Sequence, residues 1–294
     1  MGESLEEVPK SHYLDDLKRL APNGVPQFFA AVRAAGADAF RTTPYPNTRM
    51  EEWRQTNIAP IVKTPYRSPV VAPGHTVTAA QIQPFLYGDG AWTELVFVDG
   101  YFSEALSVQP KLASSVYAGS LDAAVASNDS PQIEQHLGKY LAKRSTFTAL
   151  NSAFLQDGAF IHVPKDVVLE HPIHIVAVTS AREADTAAYL RHLIALDESA
   201  CASVVTSYVS LAGETRYLNN VVEEIALGQN AQLDRYKIIE EGSSGNHLAT
   251  AEIHSDRDSR LNSYSMTLAG GIVRNQLCVN LNGEGASCHL SGIY

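Results

Sequence analysis

Cysteine is scarce in this 294-residue chain, and that scarcity narrows the chemistry at once. Three thiols, Cys201, Cys278 and Cys288, are too few and odd in number for a disulfide framework, and they point to a reducing, cytoplasmic compartment. No CxxC pair and no HExxH is present, which excludes the common zinc motifs. A GxxxxGK[ST] loop is missing too, so the chain is not expected to hydrolyse ATP itself. Gly283-Glu284-Gly285 lacks the third glycine and the strand–helix setting of a dinucleotide fingerprint, and no GxSxG nucleophile elbow occurs. No apolar run approaches the roughly 20 residues that cross a bilayer. The opening MGESLEEVPK is acidic with no apolar centre, unlike a secretory leader, and is not rich in Arg and Ser like a transit peptide. Lys and Arg total 22 against 32 for Asp and Glu, and the formal charge of -10 argues against broad nucleic-acid binding.

What is present divides the chain into three stretches. Residues 1–90 read as a helical region and connector. Leu14, Leu17 and Leu20 share one spacing, and Phe28, Phe29, Val32, Ala35 and Ala39 form a second apolar face with Pro26 in its first turn. Thr48 and Glu51 make a capping-box pattern opening a short helix that carries Trp53, and four prolines mark residues 58–77 as a connector. Residues 91–157 are mixed. Asp99-Gly100 between Leu95, Phe97 and Tyr101, Phe102 predicts a β-hairpin. Ser130-Pro131 predicts the start of a helix with Ile133, Leu137, Tyr140 and Leu141 on its apolar face, and another helix is expected over Phe147–Phe154.

Residues 158–294 read almost entirely as strand, in short segments around Phe160–Val163, Val167–Leu169, Ile173–Val178 and Tyr189–Leu196. No helix signal interrupts them, which disfavours a βαβ sheet. Four similar stretches, anchored on Ala200, Ala231, Arg260 and Ala286, recur at spacings of 31, 29 and 26 residues. A loose period of that size predicts a β-helix of about five or more coils, in which each coil buries its inner face against the next. A β-sandwich with long hairpins is the alternative on pattern alone.

The chemistry-bearing residues are scattered. His171 and His174, three apart on an expected strand, face opposite sides and cannot share a metal; they and His162 read as ordinary strand histidines. Cys288 and His289 are adjacent and so also point apart; either one could join a site completed by a neighbouring coil or another subunit, and Cys278 is a third candidate ligand. Asp197, Glu198, Asp234, Asp256 and Asp258 gather near the expected turns. They read as solvated turns rather than the calcium site of a carbohydrate-cleaving β-helix, a lyase or glycosidase, which is the competing functional class. The tight hexapeptide repeats of β-helical acyltransferases do not occur.

Three segments together resemble the SufB/SufD family of iron–sulfur cluster assembly proteins: PYPNTRMEEWRQTNIAPI (Pro44–Ile61), LNSAFLQDGAFIHVPKDVVLEHPIHI (Leu150–Ile175), and the run from Arg260 to Tyr294 with LAGGIVRNQLCVNLNGEGASCHLSGIY. The Trp53-Arg54 segment and the helical N-terminal region are closer to the SufD branch than to SufB. The resemblance implies a right-handed parallel β-helix behind a helical N-terminal region, in a scaffold rather than an enzyme. It implies a SufB-like subunit and a SufC-like ATPase as partners, a transient iron–sulfur cluster as cargo, and, in some members, a reduced flavin associated with the complex; no tightly bound cofactor is expected here. Family chains continue well past the Gly-x-Tyr coil, so the resemblance implies a β-helix that is incomplete at Tyr294. Its unpaired edge would favour self-association as a homodimer.

Overall fold

β-branched residues at a period of two dominate the second half of the chain, and they fold as that pattern requires. A computed structural model describes residues 10–19, 25–68, 77–109, 112–113, 115–127, 131–141, 145–180, 183–211 and 213–294. The strands are β1 (Thr93–Val98), β2 (Tyr101–Phe102), β3 (Tyr117–Ser120), β4 (Ala159–Val163), β5 (Ile173–Thr179), β6 (Thr186–Leu196), β7 (Cys201–Ser210), β8 (Tyr217–Leu227), β9 (Gln232–Glu240), β10 (Gly245–Ser255), β11 (Arg260–Ala269), β12 (Val273–Leu281) and β13 (Ser287–Ile293). From β4 onward odd and even strands separate into two sheets, ordered β13-β11-β9-β7-β5-β1-β2 and β12-β10-β8-β6-β4-β3. Every pairing from β4 onward along the chain is parallel, which makes a β-solenoid; β2 and β3 close its first end by antiparallel pairing with β1 and β4. The solenoid has about four turns, fewer than the five or more expected.

The repeat has a conformational basis. Asp166, Ser199, Asn230, Asp258 and Gly285 stand at the same corner of successive coils with φ of 63°, 59°, 57°, 59° and 74°. Short polar residues and glycine tolerate this left-handed backbone best, so each coil turns where such a residue stands. The register corrects one expected anchor: Arg260 pairs with Gln232 and Ser287, so the equivalent of Ala231 and Ala286 is Ser259, and the spacings are 31, 28 and 27 residues. Ser259 is fully buried like Ala200 and Ala231, whereas Arg260 points outward; serine at a corner where the other coils carry alanine hid the alignment.

Inside, Leu233 and Leu261 stack in register along one sheet, and Ile161, Ile194, Ile225 and Ile253 stack in register along the other. Each such side chain contributes about 1.5–3 kcal/mol relative to exposure. The helices are α1 (Ser11–Arg19), α2 (Gln27–Thr42), α3 (Ala59–Val62), α4 (Ala79–Ile82), α5 (Leu121–Ala126), α6 (Pro131–His136) and α7 (Thr146–Ala153). Gly36 lets α2 approach α7 so closely that a Cβ there would lie 2.5 Å from the Ala153 backbone nitrogen. As a result α2 buries Phe29, Gly36 and Phe40, while Phe28, Val32, Ala35 and Ala39 are half-buried and line a groove of about 370 Å³ with Leu137 and Leu141.

Several local expectations change. Pro26 is the N-cap of α2, not part of its first turn. The Thr48–Glu51 capping box does not form: Met50 precedes a single 3₁₀ turn, Glu51–Trp53, too short for a helical cap. Val167–Leu169 is a coil corner in which only Val168 bridges to Cys201, and His171 sits in an exposed bend ahead of β5. Pro164 and Pro172 bound that corner and withhold two ladder N–H groups. The hairpin forms as expected, with Asp99 and Gly100 both at positive φ. Leu20 and Ser130 lie outside the described residues. Among the described residues no helix is long and apolar enough to cross a membrane.

Candidate functional site

Charged side chains enter the solenoid interior from β8 and β9. Leu233 and Ile239 fix the inward face of β9, so period-two alternation turns Arg235 and Lys237 inward as well. Val221 and Ile225 do the same for Glu223 on β8, in the opposite sheet. The three meet across the core. The Arg235 Nε donates to Glu223 Oε2 at 2.9 Å, the Arg235 Nη2 lies 2.7 Å from the same oxygen, and Lys237 Nζ donates to Oε1 at 3.0 Å. Arg235 also donates to Ser263 Oγ at 2.9 Å and Lys237 to Asn275 Oδ1 at 3.3 Å, with the ammonium 5.0 Å over the Tyr208 ring. One level on, the Glu241 carboxylate accepts from Tyr217 Oη (2.7 Å), Asn219 Nδ2 (2.8 Å) and His247 Nδ1 (2.8 Å).

Burial and pairing compete at each group. Burial pushes the Glu223 carboxyl up, but Arg235 and then Lys237 outweigh it and hold it well below the usual carboxylate range. Burial lowers the Lys237 ammonium to about 8 against the pull of Glu223. His192 is brought down to about 4 by burial and His247 is lowered by burial against its bond to Glu241, so both imidazoles are neutral near pH 7. Two carboxylates then balance two cations, which is the condition for keeping charges in a buried interior.

A second buried pair fastens the N-terminal region to the outside of the six-stranded sheet. Arg191 Nη1 donates to Glu224 Oε1 at 3.1 Å and Nη2 donates to Ser152 Oγ of α7 at 2.6 Å, with both charged side chains fully buried. Glu224 also accepts the Gly138 backbone N–H with both oxygens at 2.9 Å. Asn151 ties α7 to the carbonyls of Leu190 and Asn220 at 3.0 and 2.8 Å.

The three candidate ligands are not brought together. Cys288 faces the core beside Leu261, and burial raises its thiol. His289, one residue on, faces outward with its ring 5.9 Å from that of Tyr264. Cys278 lies on the outer face of the other sheet, in register with Glu252, and takes a 3.9 Å contact from Gln276 Nε2. Among the described residues no group of three or more His, Cys, Asp or Glu side chains is placed to hold a metal ion. His174 is fully buried, 2.9 Å from Ser207 Oγ and stacked on Tyr87, while His162 pairs with Asp197 at 3.0 Å. Glu198 bridges to Lys165, Asp234 accepts from Asn262, and Asp256 and Asp258 are exposed. The interior charges were the signal to find: Arg235 and Lys237 share inward parity with Leu233 and Ile239.

Fold and site together define a parallel β-solenoid with a helical N-terminal region locked to its side and a charge-balanced interior. The chain belongs to the SufBD family of the SUF system for FeS cluster assembly: its N-terminal-region model matches residues 11–175 and its core-domain model residues 177–294. Similar curated proteins include an iron–sulfur cluster assembly SufBD family protein of Synechocystis, 25% identical over 252 residues, covering 83% of this chain and 55% of the relative. The iron–sulfur cluster assembly protein SufD of Escherichia coli is 28% identical over 258 residues, covering 85% and 56%. SufD of Bacillus subtilis is 29% identical over 140 residues, covering 47% and 31%. The chain spans about half the length of the first two relatives.

Proposed function

We propose that this chain is a non-enzymatic scaffold subunit that pairs with a SufB-like subunit and a SufC-like ATPase to build and pass on nascent iron–sulfur clusters in the cytoplasm. The observation that carries the reading is the family match running almost end to end, across both the helical region and the solenoid. The work of such a subunit is positional. A solenoid whose coils interlock through buried charges resists bending, so movement imposed by an ATPase reaches the partner contact instead of dissipating in the subunit. The cluster is cargo, and no tightly bound cofactor is assigned to this chain; a reduced flavin, where one takes part, belongs to the assembled complex. Cys278, Cys288 and His289 lie on three different faces, so a nascent cluster would take at most one ligand at a time from this set, and the rest from a partner. Single ligands of that kind suit a cluster that must leave.

The test is genetic. Depleting the chain in its own host should lower the activity of iron–sulfur enzymes under iron limitation, and re-expression should restore it. Unchanged enzyme activities on depletion, with no other copy of the gene, would contradict the proposal.

A further inference from the structure

Among the described residues, His192 Nε2, Tyr208 Oη and His247 Nε2 form a cluster of interior polar atoms with no hydrogen-bond partner in the protein; Arg235 Nη2 also lacks one but lies 2.7 Å from the Glu223 carboxylate. All three side chains are fully buried. They are neighbours, with the Tyr208 ring 4.5 Å from that of His247 and 6.4 Å from that of His192. Their proton positions follow from the partners they do have. His192 Nδ1 accepts the Ala159 backbone N–H at 3.0 Å, so its own proton sits on Nε2, which must donate. His247 Nδ1 faces the Glu241 carboxylate at 2.8 Å, so it carries the proton there and leaves Nε2 as a bare acceptor. Tyr208 Oη does both. The unmet set is therefore one donor, one acceptor and one hydroxyl.

We propose that the interior binds ordered water between His192, Tyr208 and His247, running from the His192 Nε2–H donor through the Tyr208 hydroxyl to the His247 Nε2 acceptor and so to Glu241. Nearby side chains are engaged elsewhere. Lys237 donates to Glu223 and Asn275, Arg235 Nε to Glu223 and Nη1 to Ser263 with Nη2 beside the Glu223 carboxylate, and Asn219 donates to Thr179 and Glu241. The ligand must be neutral, because Glu223 and Glu241 already balance Arg235 and Lys237. It must both give and take hydrogen bonds, which excludes an apolar guest, and a metal ion could not accept from the His192 Nε2–H. Water meets each condition, and buried polar groups left without it would cost a large share of a domain's net stability.

The test is multidimensional ¹⁵N NMR of the whole chain, with a crystal structure fine enough to show other buried waters. The expected result is a neutral His192 protonated on Nε2, a neutral His247 protonated on Nδ1, and water within about 3.2 Å of at least two of the three atoms, giving water–ring cross-peaks. Tyr208→Phe keeps the ring and removes the hydroxyl at the centre, and it should abolish the cross-peaks while the Arg235 and Lys237 signals stay in place. A dry site with His192, Tyr208 and His247 in direct contact would overturn the proposal, as would a His247 proton on Nε2. Both readings come from the unmutated chain, so they hold even if the Tyr208→Phe chain does not fold.

Discussion

Glu223→Gln is the sharpest perturbation of this fold. The amide nearly preserves shape but leaves Arg235 and Lys237 as two buried cations with no counter-charge on the facing strand. Removing one partner of a buried pair costs about 3–5 kcal/mol, a large part of the 5–15 kcal/mol that holds a typical domain together. At about 2–4 °C per kcal/mol for domains of this order, the midpoint should fall by roughly 6–20 °C in a calorimetric or circular-dichroism melt. The gap should also depend on pH with a definite sign. Glu223 has a depressed folded pKa, so its contribution is present above the unfolded carboxyl range near 4.3 and is lost as pH falls below it. Lys237, lowered to about 8 in the parent, drops further once Glu223 stops holding its proton. Between that lower value and about 8 the variant sheds the proton and the parent does not, so the variant gains on the parent as pH rises. The gap is therefore widest at mildly acidic pH and narrows on both sides. A variant within about 1 kcal/mol of the parent, or a gap flat from pH 4 to 9, would refute the reasoning.

Gly36→Ala should destabilise the chain by about 1–3 kcal/mol and make α2 prone to limited proteolysis, because the new methyl meets helix backbone at 2.5 Å. Asp157, buried and raised to about 6, binds its proton more tightly when folded; stability should fall as pH rises from about 4 to 6, and Asp157→Asn should flatten that slope in pH-dependent urea melts. The same variant should be less stable on the plateau, because the amide nitrogen cannot accept from the backbone N–H groups that the carboxylate serves. Arg274→Ala removes a guanidinium 4.0 Å over Trp53 and should cost about 0.5–2 kcal/mol with a shift in tryptophan emission. The Cys288 thiol, raised by burial, should alkylate slowly near pH 7.5 and accelerate only well above it, measured by mass spectrometry of labelled peptides.

Much of this architecture can be read from residues alone, for physical reasons. Asp99-Gly100 is a hairpin wherever two strands flank it, and it forms one here. The coil repeat is visible because each corner needs a left-handed residue and a small buried one behind it; the alignment slipped by one at Ser259 because a buried serine resembles a solvated turn residue. The apolar stripe of α2 was misread because Gly36, which has no side chain to count, sets the packing face. The interior cluster was half legible: parity turns Arg235 and Lys237 inward, but their encounter with Glu223 depends on two sheets meeting across a core. The Arg191–Glu224 lock shows the same limit. It holds because α7 and Gly138 close over it, and no local pattern around residue 191 or 224 announces that cover.

The account stands or falls most directly on an anaerobic co-purification of this chain with the SufB-like and SufC-like subunits of its own source, with ATPase rates recorded. The account predicts a stable complex containing the SufB-like subunit and an ATPase rate that responds to the chain's presence. A chain that is folded by circular dichroism yet retains neither subunit and leaves the ATPase rate unchanged would contradict it.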